Sequence, residues 1–255
     1  MGNPLFYKNI VALNSEVHRE LRMNLIEKPL DFAAEANLIP AIVDEFELAA
    51  GDLPIAFLPG EKQPAAVFIT GLKPGRNFFV TNEGLWSGNY APAYLRRYPF
   101  IVGDVPDGEP VLCFDESYVG LNDEDGARLF SEIGELEDAG VNALTLAQSY
   151  REAAEETDEF GAMLKDMNLL RSVTLDSKLP DGETSSVHGL LVVDEEAFSN
   201  LTADQLFELH QKGFLNAIVH HLSSLRLISA LAPKEVSKVE GKPEKVKVGS
   251  KKKSA

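Results

Sequence analysis

Between Trp86 and Glu116 the chain gathers most of the side chains that could do chemistry. Trp86, Tyr90, Tyr94, Arg96, Arg97 and Tyr98 lie close together in sequence. Flat rings lose little rotamer entropy on contact, and a guanidinium offers a planar fork of donors, so this set suits recognition of a partner. The same residues would also serve as core, with the arginines paired to some of the forty carboxylates. Asp115 and Glu116 follow the apolar run 111–114, at the end of a predicted strand. A catalytic carboxylate pair needs two different environments, which adjacency does not supply. The pair therefore reads as part of a solvated acidic loop, 115–125. An enzymatic alternative stays open. Arg96, Arg97, Asp115 and Glu116 would act on a small molecule or peptide if they converged on one pocket.

Other candidates are fewer. The histidines are His18, His188, His210, His220 and His221, and none forms the His-x-x-x-His pair that a helical metal site requires. His220 and His221 are adjacent and point about 100° apart on a helix. His221 borders an apolar stripe beside Ser223 and Ser224, which suits a buried, hydrogen-bonded imidazole. Cys113 sits among Val111, Leu112 and Phe114 and reads as a buried thiol. Asp123 to Gly126 lacks calcium-loop spacing. No dinucleotide fingerprint, nucleophile elbow or phosphate loop occurs. No cofactor and no metal is expected, and no catalytic residue is assigned.

The elements that must position these residues read as hairpins followed by helices. Strand 7–13 opens the chain, with Ser15 placed to cap a short turn. Residues 38–46 are apolar but of undecided type. Runs 54–58 and 65–70 flank a Pro-Gly turn, 100–102 and 111–114 flank Pro106-Asp107-Gly108, and 172–175 and 187–193 flank Pro180-Asp181-Gly182. Residues 77–81 form a further strand candidate, and 91–97 one or two helical turns. One or two amphipathic helices are predicted over 129–167. Thr202 and Gln205 match a capping box, and a last helix spans 214–231 with Phe214, Ile218, Leu222, Leu225 and Ile228 on one stripe. The predicted class is α+β: a largely antiparallel sheet built from hairpins, with C-terminal helices packed on it, in one domain over 1–232.

With 255 residues and 44% hydrophobic content the chain can build a core without staples. The net charge is −16, yet 233–255 holds eight Lys against three Glu. An acidic body repels phosphate backbones, so duplex nucleic acid is not expected as a partner, whereas protein partners are. The Lys-rich tail is expected to be disordered. No run of about 18 apolar residues predicts a membrane span. No leader is visible at the N-terminus, which sets the cytoplasm as the default, with the cell surface reached only by leaderless export.

The run from Trp86 through Tyr90, Pro92, Leu95, Arg96, Arg97, Tyr98 and Pro99 to Phe100 resembles the W-x-x-x-Y-x-P-x-x-L-R-R-Y-P-F signature of the SapC family. The likeness extends upstream to Tyr7 and the Gly71-Leu72-x-Pro74-Gly75 turn. Downstream it takes in Cys113-x-Asp115-Glu116, Gly189-Leu190-x-Val192-Val193-Asp194-Glu195 and His221-Leu222-x-Ser224-Leu225, covering about 7–231. The resemblance implies a bacterial surface-layer-related protein with no established catalytic mechanism. It does not imply the peptide-transporter permease of the same name, which is an unrelated membrane protein.

Overall fold

The computed structural model describes residues 3–104, 110–178 and 184–231. Strands β1 (Ile10–Ala12), β2 (Arg22–Met23) and β3 (Leu38–Pro40) precede a single-turn helix, α1 (Phe46–Ala49). Strands β4 (Ile55–Leu58) and β5 (Ala65–Ile69) follow, then helix α2 (Ala93–Arg97). Next come β6 (Phe100–Gly103), β7 (Val111–Asp115), β8 (Leu121–Asn122) and β9 (Ala127–Arg128). The long helix α3 (Asp138–Asp166) leads to β10 (Leu170–Lys178) and β11 (Thr184–Val193). Helices α4 (Glu195–Ser199), α5 (Ala203–Gln211) and α6 (Phe214–Ser224) follow, and a 3-10 turn, Leu225–Leu227, continues from α6.

The class is α+β, as predicted, with every strand pair antiparallel. The strands form three sheets: β10-β11-β4-β5-β3, β1-β7-β6 and β8-β2-β9. The hairpins β4–β5, β6–β7 and β10–β11 pair where the turn residues placed them. The turns at 106–108 and 180–182, and the Lys-rich tail, lie outside the described residues. In β10–β11 the register shifts opposite Thr174, where Gly189 takes φ +75°, a conformation that disfavours any residue with a Cβ.

Two local expectations need correction, and one open reading is resolved. Residues 77–81 are not a strand but make one bridge, Val80 to Trp86. Ser15 caps no helix. Asn14 instead accepts from the Glu16 N–H at 2.7 Å in an Asx-type turn. The undecided stretch 38–46 is both types in succession, β3 and then a 3-10 turn, Val43–Glu45, running into α1.

Helix α3 has 29 residues and is about 43 Å long. It supplies Ala147 to a core with Leu129, Phe100 and Phe114, Tyr150 and Ala153 to a second with Tyr94 and Leu95, and Phe160 and Leu164 to the largest. Gly161 lets it approach the β4–β5 connection, since a Cβ there would meet Pro64 O at 2.4 Å. Helix α5 carries the predicted capping box on Thr202 and Gln205.

The buried face of α6 is rotated from the predicted stripe. Phe214 and Ile218 are buried together with Ala217, His221 and Ser224, while Leu222 is only half-buried. Over Phe214–Leu231 the chain is apolar enough by composition to cross a membrane, but Phe214, Ile218 and Leu231 belong to the largest core.

Candidate functional site

The Trp86–Phe100 segment, which contains α2, forms a clasp against α3 and the end of β7. Its first anchor is Asp52. That carboxylate accepts from the Asn89 and Tyr90 N–H groups at 2.7 and 3.1 Å and fixes the loop backbone. Trp86 is half-buried. It stacks on Phe79 with ring centroids 5.1 Å apart, and its Nε1–H donates to Tyr90 O at 2.8 Å.

The second anchor is Glu45, only 3% exposed. Its Oε1 accepts from Tyr90 Oη–H at 2.7 Å and from the Ala93 N–H at 2.6 Å, at the start of α2. Its Oε2 has no hydrogen-bond partner among the described residues. Burial pushes the Glu45 carboxyl above its ordinary range, against the opposing pull of those bonds. Tyr90 is pushed up to about 12, first by burial and then by the Glu45 charge beside it. Arg96 lies exposed on the outer face. Its Nε donates to Ala91 O at 3.0 Å and its Nη2 to Tyr90 Oη at 3.2 Å, with the guanidinium 5.7 Å from the Tyr90 ring centroid.

Arg97 points the opposite way, as adjacent helical residues must. It is 7% exposed, and its guanidinium carbon sits 4.0 Å from the Tyr150 ring centroid, 4.6 Å from Tyr94 and 5.8 Å from Tyr7. Among the described residues no carboxylate pairs with it, and its Nε has no hydrogen-bond partner. Three ring faces stand where a carboxylate would be expected, which offsets part of the cost of burying the cation. Burial raises all three tyrosines, and the Arg97 charge opposes that rise. Tyr94 Oη–H also donates to Leu5 O at 3.0 Å, tying the N-terminal segment to α2.

The third anchor is Asp115, and here the solvated-loop expectation fails. Asp115 ends β7 and is fully buried. The chain before β1 folds over it. Lys8 and Asn9 N–H donate to its two oxygens at 2.8 and 3.0 Å, and Ser117 donates through both N–H and hydroxyl. Tyr98 Oη–H adds a bond at 3.2 Å. Burial alone would raise this carboxyl, but the backbone and serine bonds outweigh it and hold the group below its ordinary range. Tyr98 packs against Phe32, Tyr7 and Tyr118, and its peptide bond to Pro99 is cis. Glu116 behaves as predicted: it is exposed and meets the Asn9 side-chain amide at 2.8 Å.

His221 and Cys113 are buried, as their neighbours suggested. His221 lies apart from the clasp. It sits against Phe57, with Nε2 accepting from the Val193 N–H at 3.0 Å. Burial lowers its pKa to about 4. Burial pushes the Cys113 thiol up, away from nucleophilic behaviour.

The polar groups therefore do not converge. Arg96 faces solvent, Arg97 faces a tyrosine cage, and Asp115 is sealed under the N-terminal segment. The described cavities lie elsewhere. One of about 220 Å³ between Val43, Glu156 and α6 is lined by the carboxylates Asp44 and Glu47 with Lys212 and His220. Another of about 300 Å³ adjoins Pro64 and Leu170, and a third of about 370 Å³ runs between α3 and α5. No group of three or more metal-ligating side chains occurs among the described residues.

Sequence reasoning missed the roles of Glu45, Asp52 and Tyr7. Glu45 left one trace, as one of the two carboxylates, with Asp44, inside the apolar run 38–46.

These features define an antiparallel α+β protein in which one aromatic–arginine segment locks an N-terminal arm, a short helix and the end of a strand together. The family model described as SapC matches residues 13–231, and the chain belongs to the SapC family. No curated protein and no solved structure matches it.

Proposed function

We propose that this SapC-family protein is a non-enzymatic accessory protein of a bacterial surface-layer or cell-envelope system, binding a protein partner through the outer face of the clasp. The observation that carries this reading is the Trp86–Tyr90–Arg96 surface. Its rings are half-buried and its guanidinium exposed; Asp52 and Glu45 hold Tyr90 from behind, and Trp86 and Arg96 are each hydrogen-bonded to Tyr90. A rigid surface of rings and guanidinium favours protein recognition, because little motion is lost on contact. The enzymatic alternative required Arg96, Arg97 and Asp115 to meet at one cavity, and their separation leaves it without its motivating geometry.

Affinity capture from the native bacterium with the full chain tests the proposal. An envelope protein should be recovered with the native chain and lost with Trp86→Ala. Recovery of no partner by a monomeric protein, or capture indifferent to Trp86→Ala, would overturn it.

A further inference from the structure

The outer face carries a chemical preference that follows from how Arg96 is held. Tyr90 Oη gives its proton to the buried Glu45, which leaves the phenol oxygen free to accept from Arg96 Nη2. Ala91 O takes the Nε–H. Both contacts are to neutral oxygens, and no carboxylate pairs with Arg96 among the described residues. The side chain is nonetheless pinned at two nitrogens and laid against a ring. What remains is the outer edge of the guanidinium: Nη1, which makes no hydrogen bond among the described residues, and the second N–H of Nη2. Two parallel N–H groups at that spacing match the two oxygens of a carboxylate.

We infer that Arg96 is the carboxylate-reading element of a peptide site, and that its ligand is a partner segment carrying an acidic side chain next to an apolar one. The acid takes the free edge of the guanidinium, and the apolar neighbour lies against the half-exposed rim of Trp86. This inference rests on the proposed partner-binding reading and adds the chemistry of the segment bound. A single acid fits better than an acidic run, because a chain of net charge −16 repels polyanions. Pre-organisation by Tyr90 and Glu45 means that few rotors are frozen on binding.

Trp86 is the sole tryptophan, so its emission reports on this face alone. The full chain is titrated with a blocked tripeptide of leucine, glutamate and leucine, and with its glutamine counterpart. The glutamate peptide should shift the Trp86 emission saturably, and the glutamine peptide should bind at least about tenfold more weakly. Arg96→Ala should abolish the response, and Arg96→Lys should restore little of it, because an ammonium has no fork. Circular dichroism of the variants checks that the fold is kept. If Arg96→Ala does not fold, the two peptides on the native chain decide alone. Equal binding of both peptides, no response to either, or an undiminished response in a folded Arg96→Ala protein overturns the inference. Loss of the carboxylate preference with partner capture retained would leave the proposed function standing and remove only this refinement.

Discussion

The five-stranded sheet and the clasp are stabilised by opposite means. Behind the sheet, Phe160 meets Phe46, Phe57 and Phe214 with ring centroids 5.0–6.0 Å apart, in a core of aliphatic and aromatic side chains. The clasp buries Glu45, Arg97 and Asp115 and holds them with directional contacts, which satisfy Asp115 but leave Glu45 Oε2 and Arg97 Nε without a hydrogen-bond partner among the described residues. Apolar burial is strong but indifferent to angle, whereas hydrogen bonds to buried charges are modest in net gain and costly to leave unmade. The contrast predicts that the sheet region supplies most of the stability and the clasp a fixed geometry.

That contrast is tested most strongly by Phe160→Ala. The variant should lose about 3–5 kcal/mol in denaturant unfolding, since it opens a cavity among three other rings. Asp115→Asn should cost about 2–4 kcal/mol, because an amide NH2 would face the Lys8 or Asn9 N–H. Equal and negligible effects of the two changes would dissolve the distinction.

Acid separates the regions further. His221 has a lowered folded pKa, so the unfolded chain binds its proton more tightly. Its contribution is complete near neutrality and declines from about pH 6.5 to about pH 4, by up to about 3 kcal/mol. A His221→Gln protein should lack that slope. Asp115 has a lowered folded pKa of the opposite chemical type. Its contribution is present above the ordinary carboxylate pKa of about 3.9 and is lost only in stronger acid. Stability against pH should thus fall first through the sheet's histidine and later through the clasp.

Two smaller effects concern the clasp's interior. Arg97→Met keeps length and removes charge, so it forfeits three ring contacts but also relieves a buried cation. A loss of about 1–2 kcal/mol by thermal melting is expected. Glu45→Gln should change stability by less than about 1 kcal/mol. The amide oxygen still accepts from Tyr90 and Ala93, and the raised carboxyl pKa marks ionisation as the costly state.

How much of this could be read beforehand depended on the range of each signal. Hairpins and the Thr202 cap are local, written in turn and cap residues a few positions apart, and they were legible. Asp115 was not, because its donors Lys8 and Asn9 lie more than one hundred residues away and are backbone groups. A solvated loop and a sealed carboxylate have the same local sequence. The α6 stripe was misplaced for a related reason. Ser224 counts as polar, yet its hydroxyl accepts from the Ile55 N–H and donates to His221 O, so it belongs inside. The two-residue strands of β8-β2-β9 are too short for periodicity to mark. The signature residues stood out by type, but their division into an inward and an outward set needed the fold.

One consequence concerns α3. A helix that walls three separate cores cannot fray in its middle turns without loosening all of them. Amide protons near Tyr150 and Ala153 should accordingly exchange with deuterium only through global opening, and more slowly than those of α5, which lends the main core only Leu209 as a fully buried side chain.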